Sequence, residues 1–437
     1  MSPDETGRMK AAKVVVARII TMAVALVCGF LTTNIVIRDA GVEVFALYSF
    51  LITIPALIPF TDLGAGAALV NRIAGSSDPD SDTEVRATIL SISRIMIGFS
   101  AVLLALNAVL FLTGGWHIVL GSVGLIKNAD AAAFVCVMIF GLSIPLSIGS
   151  RIYLGLEKVH FLVLFQGLQA PLTLFLVFAV TSLAPKGSGA LLAVTAYAAL
   201  FAVAAVSLVG ASRILPGALH WAARRLAQLR RARGRRVMDI GLPLLIQTIA
   251  APLAIQLDRV VLAQNVSAGE LAMYGVAAQV FFALQSLFST AGLTLWPTFA
   301  RRMANGERVR PFSASALFAI AAAVCASIVC LVSGPFFGLL TNEQITVPWT
   351  TLLAFSAMLT VQAGLYPLGM FLMDKKGARF QTIPVLVMVT LNVSLSVLLA
   401  RGIGVPGPIL ATVVATVVCQ IVPYTFYIAS RFRRLGR

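Results

Sequence analysis

Long apolar runs separated by short polar turns fill the chain from residue 14 to residue 429. Each run is of the length, roughly 20 residues, at which an α-helix crosses the hydrocarbon core of a bilayer. Twelve are predicted, at about 14–37, 44–70, 87–112, 131–153, 161–183, 190–211, 237–264, 273–299, 312–340, 347–373, 380–400 and 408–429. The connections carry turn chemistry: Arg38-Asp39 with Gly41, the polar stretch GSSDPDSDTEVR, then GGWHIVLGSVGLIKNAD, GLEKVH and PKGSG. The first run is too long for a signal-peptide core and lacks a small-residue cleavage site, so it reads as a membrane helix. Twelve spans leave no room for a soluble domain. The predicted fold class is an all-α polytopic membrane protein.

The longest polar interval is 213–236, RILPGALHWAARRLAQLRRARGRR, with eight arginines and no acidic residue. It divides the chain into a six-helix lobe at 1–212, a cytoplasmic arginine-rich linker at 213–236 and a second six-helix lobe at 237–437. So basic a run resists translocation and fixes the orientation. With both termini cytoplasmic, inner segments hold 26 of the 33 Lys and Arg, outer loops hold four, and Arg18, Arg94 and Arg259 lie within helices. The halves resemble each other. IVIRDAGVEVFALYSF precedes VVLAQNVSAGELAMYGV so that Tyr48 falls over Tyr274, 226 residues on. Six helices per half give repeats related by an axis along the membrane normal, as in transporters whose site lies between the repeats. Chance similarity between apolar helices is the competing account.

Composition sharpens this. The chain is 59% hydrophobic and 11% charged, with a mean hydropathy of +0.95, against about 25% charged residues in soluble domains. The net charge of +16 does not point to nucleic acid, because the basic residues sit in short loops where topology explains them. Five cysteines lie inside apolar runs without a CxxC, and the three histidines form no cluster, so neither disulfide nor metal chemistry is indicated. No HExxH, GxSxG or GxxxxGK[ST] occurs, and nothing supports an enzyme or a bound cofactor.

Ionisable groups in hydrocarbon cost roughly 2.5 kcal/mol or more, which makes each a candidate. Arg18 lies about one turn into the first segment, Arg94 about two turns into the third, and Arg151 at the inner end of the fourth. They either snorkel to the interface or line a cationic vestibule suited to phosphate, whose oxygens a guanidinium binds in pairs. Asp62 lies near mid-membrane. It is either the ion-pair partner of Arg18 or Arg94, or an acid that loads H⁺ or Na⁺ and couples transport to the gradient. Asp258-Arg259 fall near the outer end of the seventh segment, where an interfacial pair is expected. Pro55, Pro59, Pro145, Pro243, Pro252 and Pro367 interrupt helices and free carbonyls that protein or water must satisfy. Asn34, Gln166, Gln169, Gln247, Gln256, Gln279, Gln285 and Gln362 either line a hollow, with Gln247 a candidate substrate contact, or bond between helices.

The opening RIITMAVALVCGFLTTNIVIRDAGVEVFALYSFLITIPALIPFTDLGAGAALVNRIA resembles the start of polysaccharide biosynthesis membrane proteins. These are the O-antigen and exopolysaccharide flippases, in the superfamily that also holds the multidrug/toxin extruders and the lipid II flippases. Gly41, Tyr48, Asp62-Leu63-Gly64, the small-residue run ending at Asn71-Arg72, RIYLGLEKVH, and Asp258 ahead of Tyr274 carry the likeness. The six-plus-six layout extends it over the whole chain.

The resemblance implies a V of two lobes around a central cavity in the bacterial inner membrane. A polyprenyl-diphosphate-linked oligosaccharide passes from the cytoplasmic to the outer leaflet by alternating access. Arg18, Arg94, Arg151 and Gln247 are then substrate contacts and Asp62 the coupling or gating acid. The lipid-linked glycan, membrane lipids, a polysaccharide polymerase and glycosyltransferases are the implied partners. Two departures stand out: the lipid II flippases usually carry two further helices, and bacterial drug extruders tend to carry an acid in the first helix, where this chain has Arg18. The rival readings are a cation-coupled multidrug exporter on the same fold and a non-transporting scaffold for glycan assembly.

Overall fold

The computed structural model describes residues 3–58, 66–156, 158–183, 189–228, 256–293, 295–296, 299, 302, 309, 311–373 and 375–435, with side chains from residue 20 onward except 67, 71, 375, 378 and 433–435. No strand occurs among them. Ten stretches are long and apolar enough to cross a membrane, and they coincide with ten of the twelve predicted segments. The second is broken, and of the seventh only residues 256–265 are described.

Contacts divide the chain into two compact units, residues 1–119 with 124–246 and residues 120–123 with 247–437. The first unit contains α1 (Pro3–Ala40), α2 (Val42–Leu51), α3 (Ile54–Leu57), α4 (Gly66–Ala74), α5 (Thr83–Leu112), α6 (Gly115–Leu120, whose last residue joins the second unit), α7 (Ala129–Leu146), α8 (Ile148–Gly155), α9 (Val159–Gly167), α10 (Gln169–Leu183), α11 (Leu192–Ile214) and α12 (Pro216–Arg225). The stretch expected as an outer loop after the third segment is helical instead. Trp116 in α6 is buried and donates its indole N–H to Asn107 Oδ1 of α5 at 3.0 Å, which holds α6 against α5.

The breaks are where the sequence withdraws backbone donors. In the second segment α2 ends at Leu51 and α3 restarts with Pro55 in its first turn. The Leu51 carbonyl, left open by the break, accepts a 2.5 Å hydrogen bond from the hydroxyl of the buried Tyr197 on α11. Thr53 Oγ1 donates to Phe50 O at 2.6 Å. The fourth segment likewise divides into α7 and α8 just after Pro145. There Gly149 lets α8 reach the α11 backbone: a Cβ at this position would lie 2.7 Å from Leu208 N.

The arginine-rich segment read as a linker starts, in its described part, as the helix α12, packed on α5 within the first unit. The turn ahead of α5 is itself ordered by Asp82, which accepts the N–H groups of Glu84 and Val85. The Ser76 hydroxyl and the Glu84 amide hold the Asp82 carboxyl below the usual carboxylate range. Its capping contribution is therefore complete above that range and is lost only as pH falls through the lowered value.

The second unit holds α13 (residues 256–265), α14 (Ala268–Leu293), α15 (Pro311–Thr341), α16 (Trp349–Phe371), α17 (Lys375–Ile403), α18 (Pro406–Thr416), a π-helical turn (Val417–Ile421) and α19 (Val422–Leu435). In α14 and α16, 56% of the apolar window is buried, against 17% in α15, so the first two form the centre and α15 turns its apolar residues outward. In that centre Phe281 stacks on Phe355 at 5.1 Å and Tyr274 lies tilted against the same ring at 5.4 Å. Gln381 of α17 donates to the carbonyls of Gly369 and Leu372 at the end of α16, and Ser315 of α15 donates to Gly364 O at 2.6 Å.

Tyr197→Phe leaves the Leu51 carbonyl buried without its donor. We expect it to cost about 1–3 kcal/mol, read as a lower thermal midpoint of the purified protein in detergent. An unchanged midpoint would mean that another group satisfies the break.

Candidate functional site

Two polar features lie inside the apolar units, one in each. In the first unit, helical spacing on α7, α8, α9 and α11 brings small hydroxyls and amides to a common cleft of about 380 Å³. Ser143, Ser147 and Ser150 recur every three or four residues through α7 and α8, so they share one face. Gln166 and Gln169 stand at the junction of α9 and α10, Ser207 lies on α11, and Phe140 and Phe165 complete the aromatic part of the wall. Ser143, Ser147 and Ser150 return their hydroxyl protons to carbonyls three residues earlier, which leaves their lone pairs available. The buried Ser207 Oγ has no partner among the described residues. Among the described residues, none that lines the cleft is charged. Hydroxyls, amides and phenyl faces are the means by which proteins hold neutral polyhydroxylated groups.

The predicted arginines take different positions. Arg151 is half-buried on α8, next to Ser150. Arg94 does not stand in an open vestibule: its Nε and one terminal nitrogen donate to the carbonyls of Leu226 and Arg225, at 3.2 and 2.8 Å. Those carbonyls end α12, where a cation is favoured by the helix dipole. The backbone of Arg18 belongs to α1, but its side chain lies outside the described residues, as do Asp62 and Gln247 altogether.

The second feature was missed by counting along the sequence. Asp258 and Arg259 on α13 do not form the expected interfacial pair; both are buried, at 1% and 7% exposure, and they face different partners. Arg259 lies over the Tyr274 ring, 5.7 Å from its centre. Asp258 forms no ion pair among the described residues. Its Oδ1 accepts from Ser396 Oγ of α17 and its Oδ2 from Thr412 Oγ1 of α18, each at 3.2 Å. Asn392 Oδ1, one turn before Ser396, lies 3.3 and 3.2 Å from the same two hydroxyls. Asn392 and Thr412 are wholly buried, and the π-helical turn begins five residues beyond Thr412.

The Ser396 and Thr412 hydroxyls each stand between a carboxylate oxygen of Asp258 and the amide oxygen of Asn392, so the carboxylate is surrounded by neutral oxygens. Such a set can take a proton on the carboxyl or a monovalent cation among the oxygens, and either adds one positive charge. No group of three or more His, Cys, Asp or Glu comes together among the described residues, and a single carboxylate among neutral oxygens matches a single positive charge.

The family described as polysaccharide biosynthesis protein matches residues 10–303. The fold is shared with known transporters. A structure of the lipid II flippase MurJ in an inward closed conformation aligns with a TM-score of 0.66 at 14% identity, covering 95% of this chain and 87% of that one. An inward-facing multidrug resistance MATE family transporter of the MOP superfamily aligns at 0.60 and 12% identity, covering 96% and 97%. A Vibrio cholerae MATE transporter aligns at 0.54 and 15%, covering 97% and 98%. No curated protein matches the chain significantly.

If the Asp258 cluster binds H⁺ or a monovalent cation in the folded state, it stabilises that state by mass action, about 2.7 kcal/mol at a hundredfold excess over the dissociation constant. The thermal midpoint of the wild-type protein is then expected to respond to Na⁺ replacing a bulky organic cation, or to pH, and that response should vanish in Asp258→Asn. A variant that responds like wild type would remove Asp258 as the binding group.

Proposed function

The chain belongs to the polysaccharide biosynthesis protein family, and from that membership we propose that it flips a polyprenyl-diphosphate-linked oligosaccharide from the cytoplasmic to the outer leaflet by alternating access. The observation that carries this reading is the chemistry of the first unit's cleft. Its serines, glutamines and phenylalanines suit sugar hydroxyls and ring faces, and among the described residues that line it there is no carboxylate to draw a cationic drug. Lipid-linked cargo also accords with the fold shared with the lipid II flippase MurJ.

In this proposal Arg18 and Arg151 meet the diphosphate, since paired N–H groups match phosphate oxygens, and Gln247 contacts the glycan. Arg94 contributes through α12, whose end it holds, and its remaining capacity toward the diphosphate is secondary. Asp62 gates, and Asp258 carries the coupling charge, either H⁺ or Na⁺. The excess of Lys and Arg in alternate connections supports a bacterial inner-membrane protein with both termini cytoplasmic. A polysaccharide polymerase and glycosyltransferases are the expected neighbours in the pathway. The second reading, a cation-coupled multidrug exporter, has one observation in its favour: a buried acid in a fold shared with MATE transporters.

Deletion of the gene should make a lipid-linked repeat unit accumulate on the cytoplasmic side and abolish the surface polymer. In the complemented strain Arg18→Ala and Arg151→Ala should each lower polymer output about tenfold or more, the loss of one charge-assisted contact, at unchanged protein level. Normal polymer in the deletion strain, together with greater sensitivity to cationic dyes, would replace the flippase reading with the exporter one.

A further inference from the structure

We infer that α12 is a docking surface for anionic phospholipid head groups. It follows directly on the membrane span Gly189–Ile214, separated from α11 only by Leu215, and so stands at the membrane boundary. Its packed side is small: Leu215, Ala218 and Ala222 are buried against the first unit. Both of its ends are fixed, each by a side chain of the sign that the helix dipole favours. At the start, Asp80 Oδ1 accepts the Ala218 N–H at 2.8 Å. At the finish, Arg94 takes the last two carbonyls.

What remains outward is basic. His220 and Arg224 are exposed, and the Arg225 guanidinium lies 4.3 Å from the centre of the Trp221 ring. Tryptophan beside arginine on a short amphipathic helix is interfacial chemistry. The stretch 213–236 contains no acidic residue, and Asp80, the acid that meets the helix from another element, is engaged at its start, about two turns from Arg224 and Arg225. The outward face at the arginine end, immobilised at the bilayer edge, is complementary to the negative head groups of the leaflet it faces, and the same sign repels a second copy of itself. The inference does not depend on the transported substrate.

Native mass spectrometry of the full-length protein, titrated with phosphatidylglycerol and with phosphatidylcholine, tests it. Wild type should prefer phosphatidylglycerol, and Arg224→Gln with Arg225→Gln should lower that preference about thirtyfold, two contacts at the contribution of one basic side chain near an anionic surface. Arg224→Lys with Arg225→Lys keeps the charge and should keep the preference, which separates lost attraction from a damaged fold. A fall of less than threefold in the glutamine variant overturns the inference. An equal fall from Arg233→Gln with Arg235→Gln overturns it too, since the attraction is then the diffuse charge of the segment. So does full displacement of phosphatidylglycerol by equimolar inorganic pyrophosphate, which makes the ligand a soluble phosphate.

Discussion

A backbone carbonyl or N–H left open inside a bilayer has no water to turn to, and that constraint organises this molecule. At several helix ends and breaks a polar side chain from another element closes the gap. Tyr197 serves the break at Leu51, Gln381 the end of α16, and Ser315 the neighbourhood of Pro367. Asp80 and Arg94 do the same for the two ends of α12. The Gln381 bonds join consecutive helices and the others join elements distant in sequence, so the groups that permit irregular backbone also hold the helices together. The features of interest sit at such places. The cleft runs past the α7–α8 and α9–α10 junctions, and the acid cluster stands beside the π-helical turn, where ladder geometry is already relaxed.

Much of this was legible in the sequence because bilayer thickness dictates run length. Apolar runs gave the ten full spans, and Pro55 marked the one that breaks. Gln166 and Gln169 were visible as amides where hydrocarbon was expected, with lining a hollow or bonding between helices left open; they line a cleft. Tyr48 and Tyr274, which the alignment of the two halves puts in register, are both buried, each as the seventh residue of its helix.

The rest was hidden by sequence separation. Asp258 was assigned to the interface by counting along one helix, yet its surroundings come from Ser396 and Thr412, 138 and 154 residues further on. Neither Ser nor Thr stands out in a membrane helix, because each can return its proton to its own backbone. Arg94 looked like an isolated cation for the same reason. The carbonyls that engage it lie 131 and 132 residues away, at the end of a helix concealed in an interval whose composition suggested only a linker.

The two polar features differ in a way that bears on mechanism. The described residues of the first unit's cleft are neutral and can discriminate by shape and hydroxyl pattern. The cluster of the second unit contains a single carboxylate and responds to charge. A bound ion can drive movement of a cargo only if its affinity differs between the conformations that the cargo selects. The Asp258 cluster can meet that requirement economically. Its ligands come from three helices, α13, α17 and α18, so a small shift of α18 at the π-helical turn separates Thr412 from the carboxylate. With one hydroxyl withdrawn, the buried charge loses a hydrogen bond worth about 1.5–3 kcal/mol. That is a change in ion affinity of about 13- to 160-fold, within the range of roughly 1–3 kcal/mol for coupling free energies found between linked sites. With the carboxylate in one unit and the hydroxyl- and amide-lined cleft in the other, recognition of charge and recognition of hydroxyl pattern rest on separate groups.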